Sequence, residues 1–231
     1  MATATANYDG ASGGAMVAAT GSHTMSALVV DGTTPPTLSL SNPYTGNAAL
    51  RCAPSTLYGF QNAGTGAGWF RTYLRIAGTP AGRFFIAARP YTSYTGVFSI
   101  TIGTDRRISV HDAWGDFDTD AINTNATKTV GTVAIPSDQW VRIEGRIASG
   151  STVEARLWLN PTSTATPSET LSVASTTASF DDYWIGAGRY AGGAWTTFAP
   201  SGGVVEVDGF EFDTDGYPGP VEKVFAGTVP I

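Results

Sequence analysis

The chain has 231 residues, of which 42% are hydrophobic and 14% are charged, and it contains 28 glycines and 13 prolines. This apolar fraction excludes an intrinsically disordered protein, and the scarcity of charged residues excludes a coiled coil or a helical repeat array. A net charge of −6 without a basic run disfavours nucleic-acid binding, and the single cysteine, Cys52, excludes an internal disulfide.

Apolar and polar residues alternate along much of the chain, which is typical of β-strands with one buried face. The alternation predicts strands, in chain order, at 25–30, 48–51, 69–76, 83–88, 97–102, 107–111, 140–147, 153–159, 182–187 and 204–212. Segments 78–82 and 103–106 are predicted turns, and 160–167 is a predicted solvated connection. Short antiparallel strands without intervening helices predict an all-β, two-sheet jelly-roll sandwich. No repeat or composition break divides the chain, so we expect one domain over 1–231.

The clearest hairpin joins 140–147 to 153–159. Its apolar positions are predicted to face the core, and they include Val141, Ile143, Leu157 and Leu159. Its charged positions are predicted to face water on the opposite side, and they are Arg142, Glu144, Glu154 and Arg156. Burying an unpaired charge is costly, so the alternation fixes which face meets the core.

The first ten residues contain no basic region followed by an apolar run, and no later stretch approaches the length needed to span a bilayer. We therefore expect neither an export signal nor a membrane-spanning segment. Action outside a cell would then require a lysed host, an accessory secretion system or a virus particle.

Several sequence stretches follow one another in a characteristic order that spans nearly the whole chain. They are the glycine-rich stretch 8–14, the strand 70–76, the Trp-Val-Arg-Ile-Glu strand 140–144 with its partner 153–159, the Tyr-Trp-Ile-Gly stretch 183–186, and the closing strand 205–212 that runs into 215–220. In this order the chain resembles the concanavalin A-like, laminin-G-like jelly-roll proteins encoded among the virion genes of bacteriophages, especially those of actinobacteria.

This resemblance implies a virion surface component, either a minor tail protein or a capsid decoration, that is made in the host cytoplasm and displayed on the particle. It implies other virion proteins as partners and a host-surface glycan as a candidate ligand. A lone domain without an anchor segment would attach through its own surface, so we expect a symmetric homo-oligomer, with a trimer favoured.

Glu206-Val-Asp-Gly-Phe-Glu211 is similar to the Glu-x-Asp-x-x-Glu pattern of jelly-roll endoglucanases related to laminarinases. That resemblance implies Glu206 as nucleophile, Asp208 as its orienting partner and Glu211 as acid/base, with a bulge at Gly209. The alternative is an edge or outer-face strand whose acids meet water. We predict no enzyme, and an endo-glycanase using Glu206 and Glu211 remains the alternative function.

The acidic stretch 112–120 places Asp116, Asp118 and Asp120 at alternate positions, a spacing that suits calcium ligands. It lacks the glycine and glutamate that an EF-hand requires, so we interpret it as a solvated loop and expect no cofactor. The Asp-Thr-Asp-Gly stretch 213–216 is interpreted as a turn for the same reason.

Aromatic residues in or beside predicted turns could stack on sugar rings, and they are Tyr58, Phe60, Trp69, Tyr91, Tyr94, Trp114, Tyr190 and Trp195. The candidate ligand-binding residues among them are Trp69, Tyr91, Tyr94, Trp114 and Trp195. Such a site would make the chain a non-catalytic carbohydrate-binding module. The alternative is that these rings close the ends of the sandwich and its oligomer contacts. His23 and His111 have no partner at motif spacing and are predicted surface or turn residues.

Overall fold

The computed structural model describes the following residues: 2–6, 37–39, 43–45, 49–52, 57–61, 68–78, 84–89, 98–112, 128–147, 152–174, 182–186, 188–191, 194–197, 203–213 and 215–221. Every regular element in them is a β-strand, and the strands are β1 (Ala2–Ala6), β2 (Thr37–Ser39), β3 (Ala49–Cys52), β4 (Leu57–Gln61), β5 (Gly68–Ala77), β6 (Phe84–Arg89), β7 (Phe98–Ile102), β8 (Arg107–His111), β9 (Lys128–Ala134), β10 (Trp140–Ile147), β11 (Thr152–Trp158), β12 (Glu169–Ala174), β13 (Asp182–Gly186), β14 (Gly188–Ala191), β15 (Ala194–Thr197) and β16 (Val204–Asp213). This part of the chain contains no helix that could cross a membrane.

The strands form two antiparallel sheets and a separate hairpin. The larger sheet has eight strands in the order β12-β11-β10-β5-β16-β3-β2, and β1 also pairs with β16. The smaller sheet has six strands in the order β4-β13-β6-β7-β8-β9, while β14 pairs with β15 as a separate hairpin. Strands that are distant in sequence lie side by side, as in a jelly roll. The predicted all-β sandwich is therefore confirmed.

The two sheets enclose one apolar core. Ile100 of the smaller sheet belongs to the same buried cluster as Val141, Ile143 and Leu157 of the larger sheet. Leu159 is partly buried and packs against this cluster. Each fully buried side chain of this size contributes about 1.5–3 kcal/mol relative to exposure. The predicted register of the β10–β11 hairpin is confirmed.

The predicted strand boundaries hold within one residue wherever the predicted strands fall in the described part of the chain. The predicted turn 103–106 is also present, because the Gly103 N–H donates to Arg107 O at 3.0 Å and the Arg106 N–H donates to Gly103 O at 2.9 Å. The predicted strand 25–30 lies outside the described residues, as does most of the predicted turn 78–82.

Two predictions of solvent exposure are wrong. Arg142 and Glu144 do point away from the core, but each is only 2% exposed, because other parts of the chain cover that side of the sheet. His111 is buried in β8, where its Nε2 lies 3.0 Å from Thr101 Oγ1, so it is not a surface or turn residue. Glu154 and Arg156 are partly buried.

Candidate functional site

The acidic motif lies on β16, in the interior of the larger sheet, between β5 on one side and β3 and β1 on the other. A bulge separates Asp208 from Glu211, and Gly209 within it has φ 54°, a left-handed conformation that favours glycine. The bulge brings Glu206, Asp208 and Glu211 to one side of the sheet, turned away from the core, which we call the outer face. The predicted bulge is confirmed. The alternative of an edge or outer-face strand whose acids meet water is confirmed for the outer face and wrong for the edge, and Glu206 and Asp208 are buried from water.

Glu206 is held in a buried ion pair. Its Oε2 accepts a hydrogen bond from Arg75 Nη1 at 2.6 Å, and its side chain is only 2% exposed. The same guanidinium bonds through Nη2 to Asp138 Oδ1 at 3.1 Å. The carboxylate is therefore fixed by a charge-assisted bond, which is shorter and stronger than a neutral hydrogen bond.

Asp208 is buried completely and accepts four hydrogen bonds. The backbone N–H groups of Tyr44 and Thr45 donate to Oδ2 at 2.8 Å each. Thr45 Oγ1 donates to Oδ1 at 3.3 Å, and the Gly209 N–H donates to Oδ1 at 2.7 Å. Asp208 therefore ties residues 43–45 to the bulge of β16.

Burial raises the pKa of Asp208 to about 6, although hydrogen bonds from Thr45, Gly209 and Tyr44 act in the opposite direction. An unfolded aspartate titrates near about pH 4, so between pH 6 and pH 4 the folded protein binds a proton that the unfolded chain does not. Lowering the pH through this window should raise the free energy of unfolding by up to about 3 kcal/mol relative to Asp208→Asn. Denaturation of both proteins across this range measures the difference, and a wild type that loses stability relative to the variant would contradict the expected sign.

Alternating charges cross four adjacent strands on the outer face, and we call this row the charged ladder: Arg156, Glu144, Arg71 and Glu211. Arg71 Nη2 lies 2.6 Å from Glu211 Oε2, and Arg71 is only 4% exposed. Opposite charges on neighbouring strands stabilise the pairing of the strands. The second glutamate of the motif is therefore held by an ion pair with Arg71 at the end of a row of alternating charges.

A second buried ion pair adjoins the charged ladder. Arg142 Nε lies 3.0 Å from Glu144 Oε1, and Arg142 Nη1 donates to Pro161 O at 2.8 Å. The Arg142 guanidinium stacks 4.0 Å from the Trp158 ring centroid, while Trp158 Nε1 donates to Ala165 O at 2.9 Å. Burial raises the pKa of Glu144 and lowers that of Arg142, and the opposite charge of each partner opposes that shift. The connection between β11 and β12 thus folds over this pair.

Residues 215–221, which we call the arm, leave β16 and cross the outer face. Tyr217 Oη donates to Glu154 Oε1 at 2.6 Å, and Arg156 stacks 3.9 Å from the Tyr217 ring centroid. The ring of Trp69 meets Tyr217 edge-on, with centroids 6.3 Å apart. Burial raises the pKa of Tyr217, and its hydrogen bond to Glu154 acts in the same direction. Tyr217 therefore anchors the arm over β5 and β11.

Beyond Tyr217 the arm binds through its backbone. Arg71 Nη1 donates to Gly219 O at 2.8 Å, and the Val221 N–H donates to Tyr73 Oη at 2.7 Å. Val221 also packs on the aromatic cluster of Tyr44, Tyr73 and Trp140 beside Ala49. The arm thus closes over the centre of the charged ladder.

Gly219 adopts φ 72°, and an added Cβ would meet no atom within 4 Å. Gly219→Ala should therefore cost about 1–2 kcal/mol through backbone strain alone. Because this strain loosens the arm, hydrogen exchange of the Val221 amide should be about tenfold faster. Gly216→Ala is the matched control, since a Cβ there also meets nothing within 4 Å and no left-handed φ is required. Equal exchange rates in the two variants would contradict this account of the arm.

The aromatic candidates fall into three groups. Trp69 lies on the outer face beside the arm. Tyr58, Phe60, Tyr190 and Trp195 lie on strands, with Tyr190 opposite Trp195 in the β14–β15 ladder. Tyr91, Tyr94 and Trp114 are outside the described residues, and the grouping of the candidates into one sugar site stays a prediction.

The candidate calcium ligands Asp116, Asp118 and Asp120 also lie outside the described residues. In the remainder that the structure describes, no group of three or more His, Cys, Asp or Glu side chains could hold a metal ion. At the end of β16, the Asp215 N–H donates to Asp213 Oδ1 at 2.7 Å, which is the turn geometry predicted for that stretch.

Three residues that matter on the outer face were not among the sequence candidates: Arg71, Tyr73 and Tyr217. The signal for Arg71 and Tyr73 is the alternation of β5, in which they face the side opposite to the core residues Phe70 and Leu74, whereas no strand pattern covers Tyr217. Parity indicates that they leave the core, but it does not indicate the acids that they meet.

No protein-family model matches the chain, and no curated protein matches it in sequence. Solved structures do match. An endo-β-1,4-glucuronan lyase from the fungus Trichoderma reesei aligns with a TM-score of 0.53 and 12% identity, over 81% of this chain and 90% of that chain. The cellulose induced protein Cip1 aligns with a TM-score of 0.53 and 14% identity, over 80% of this chain and 87% of that chain. These alignments show a jelly-roll sandwich fold, and identity this low does not establish a shared activity.

Proposed function

We propose that the chain is a non-enzymatic structural protein of a bacteriophage virion, displayed on the particle as a minor tail protein or a capsid decoration. The observation that supports a structural role is the closure of the outer face. Each acid of the motif has its own partner: Arg75 binds Glu206, the backbone of residues 43–45 binds Asp208, and Arg71 binds Glu211. The arm covers the charged ladder at Arg71.

Catalysis by these acids would require a different arrangement. A retaining glycosidase places a free carboxylate and a protonated carboxyl on either side of a sugar that must reach both. Glu206 is instead buried in an ion pair with Arg75. Beside Glu211, the Arg71 guanidinium donates a hydrogen bond to the Gly219 carbonyl of the arm, which lies over this position. The contacts of Glu206 and Glu211 therefore favour a structural role for both glutamates.

The virion role rests on the resemblance of the strand order and motifs to phage jelly-roll proteins. A particle surface presents many copies, so weak contacts by each copy suffice for firm attachment. A symmetric trimer would also cover edge strands of the sandwich that otherwise invite unwanted pairing.

The test is to purify the particle of the phage that encodes the chain and to quantify its proteins by mass spectrometry. We expect stoichiometric copies of the chain on assembled particles, and a trimer when the isolated protein is measured by light scattering. A monomer that is absent from purified particles would contradict the proposal.

Sugar binding is a second candidate function, and it rests on Trp69 and Arg146. Arg146 is exposed, and its guanidinium lies 6.0 Å from the Trp69 ring centroid. An indole beside an arginine can stack on a sugar ring and donate hydrogen bonds to it. Titration of oligosaccharides against tryptophan fluorescence should show saturation that Arg146→Ala removes and that Arg51→Ala, at another exposed arginine, preserves. Identical curves for both variants would exclude this site.

A further inference from the structure

The arm is bound as a peptide would be bound. Its contacts reach residues that are distant in sequence: Tyr217 and Glu154 are 63 positions apart, and Val221 and Tyr73 are 148 positions apart. Two of its hydrogen bonds use its own backbone atoms, Gly219 O and Val221 N. Pro218 and Pro220 restrict its backbone, so docking costs less conformational entropy than for an ordinary segment. Short proline-rich ligands bind aromatic-lined grooves in this way.

The surface beneath the arm requires an occupant. Arg71 and Tyr73 are almost fully buried there, and Val221 fills an apolar position against Tyr44 and Trp140. An outer face without the arm would leave this aromatic surface in water and would return the Arg71 side chain to partial solvation, with loss of the bond to Gly219. None of these contacts depends on whether the arm belongs to the same copy of the chain.

The turn between β16 and the arm sets the direction in which the arm leaves. Asp215 is exposed, and it is held by the bond from its N–H to Asp213 Oδ1. Gly216, the next residue, has open space where a Cβ would lie. A change of backbone angles in this turn redirects the arm without disturbing a strand or the core.

We propose that the arm exchanges between copies: the arm of one copy docks on the outer face of a second copy, where it makes the same contacts to Glu154, Arg71 and Tyr73. Docking within a copy and between copies then differs only in the turn 213–216 and in the local concentration of the arm. The inference rests on the proposed function, because it supplies the contact that joins identical copies on a particle.

Cross-linking between two distinguishable chains tests the exchange. Both chains carry Cys52→Ser; one also carries Ser172→Cys and the other Gly216→Cys, and they are mixed before a bismaleimide is added. These positions leave the contacts of the arm in place, because Ser172 is exposed and pairs with position 154 in the β11–β12 ladder, and a Cβ at Gly216 meets nothing within 4 Å. We expect a covalent heterodimer whose cross-linked peptide joins positions 172 and 216.

The controls separate exchange from random collision. Replacing the Ser172→Cys chain by Thr164→Cys, at an exposed position of the β11–β12 connection, should abolish the heterodimer. Adding Gly219→Ala to the Gly216→Cys chain should reduce its yield severalfold, whereas Arg107→Ala, at an exposed position away from the arm, should not. A single chain with both Ser172→Cys and Gly216→Cys reports docking within one copy.

Intrachain product from the double variant, without heterodimer from the mixture, would overturn the exchange. Absence of both products would overturn the docking itself. A heterodimer from a protein that is absent from purified particles would refute the virion role and leave the exchange standing. A chain that is present on purified particles but forms no heterodimer would refute the exchange and leave the virion role standing.

Discussion

Arg142→Ala should lower the free energy of unfolding by about 3–5 kcal/mol, because it leaves Glu144 buried without its partner. The variant also loses the bond to Pro161 O and the stacking on Trp158. Urea denaturation followed by tryptophan fluorescence measures the difference. The size of the loss distinguishes a structural ion pair from a surface pair, because exposed pairs contribute about 0–1 kcal/mol.

Arg107→Ala is the matched control for Arg142→Ala. Arg107 lies 3.8 Å from Asp105, and the two side chains are 47% and 58% exposed. Its loss should change the stability by less than about 1 kcal/mol. The double variant Arg142→Met with Glu144→Gln should recover much of the stability, because no unpaired charge remains. Similar small losses for Arg142→Ala and Arg107→Ala would show that the outer face is open to water.

Asp208→Ala should lower the free energy of unfolding by about 3 kcal/mol or more at pH 8, because buried N–H groups lose their acceptor. The affected donors are Tyr44 N, Thr45 N and Gly209 N. The measurement is chemical denaturation, combined with hydrogen exchange at Tyr44 and Thr45. Exchange at these two amides should accelerate more than exchange in β10.

Asp138→Ala is the control for Asp208→Ala. Asp138 pairs with Arg75 at 3.1 Å but is 59% exposed, so its removal should cost less than about 1 kcal/mol. If Asp208→Ala were as mild as Asp138→Ala, Asp208 would not be the residue that holds segment 43–45 against the sheet.

The sequence predicts the strands whose alternation is strong. β10 and β11 alternate apolar and charged residues, with only the small Gly145 breaking the pattern of β10, and both are found within one residue of their predicted bounds. β9 was not predicted because its two valines, Val130 and Val133, fall on opposite faces, and β12 because Leu171 and Val173 are its only large apolar residues. Short apolar patterns of this kind form strands only because neighbouring strands supply the pairing.

The candidate site was predictable only in part. The bulge at Gly209 follows from local chemistry, since a glycine between two outward-facing acids can absorb an extra residue. The partners of the acids do not follow, because Arg75 and Glu206 are 131 positions apart and meet through the strand order of the larger sheet. Likewise, the Pro-Gly-Pro stretch of the arm predicts an irregular segment without indicating the surface that it covers.

The covered outer face shows how a glycosidase-like motif is compatible with the proposed structural role. The bulge at Gly209 places Glu206 and Glu211 on one side of β16, as a catalytic pair would require. Arg75 and Arg71 each form an ion pair with one of these glutamates, and Gly219 O of the arm accepts a hydrogen bond from Arg71. A sequence pattern can therefore be satisfied geometrically while its side chains serve the stability of the sheet.

Release of reducing ends from a panel of polysaccharides, including β-glucan, tests the central claim that these acids are structural. We predict that the wild-type protein releases no more than buffer, and that Glu206→Gln and Glu211→Gln give the same result. Reducing ends released by the wild type and lost in Glu211→Gln would contradict the account and establish the chain as a glycan-degrading enzyme.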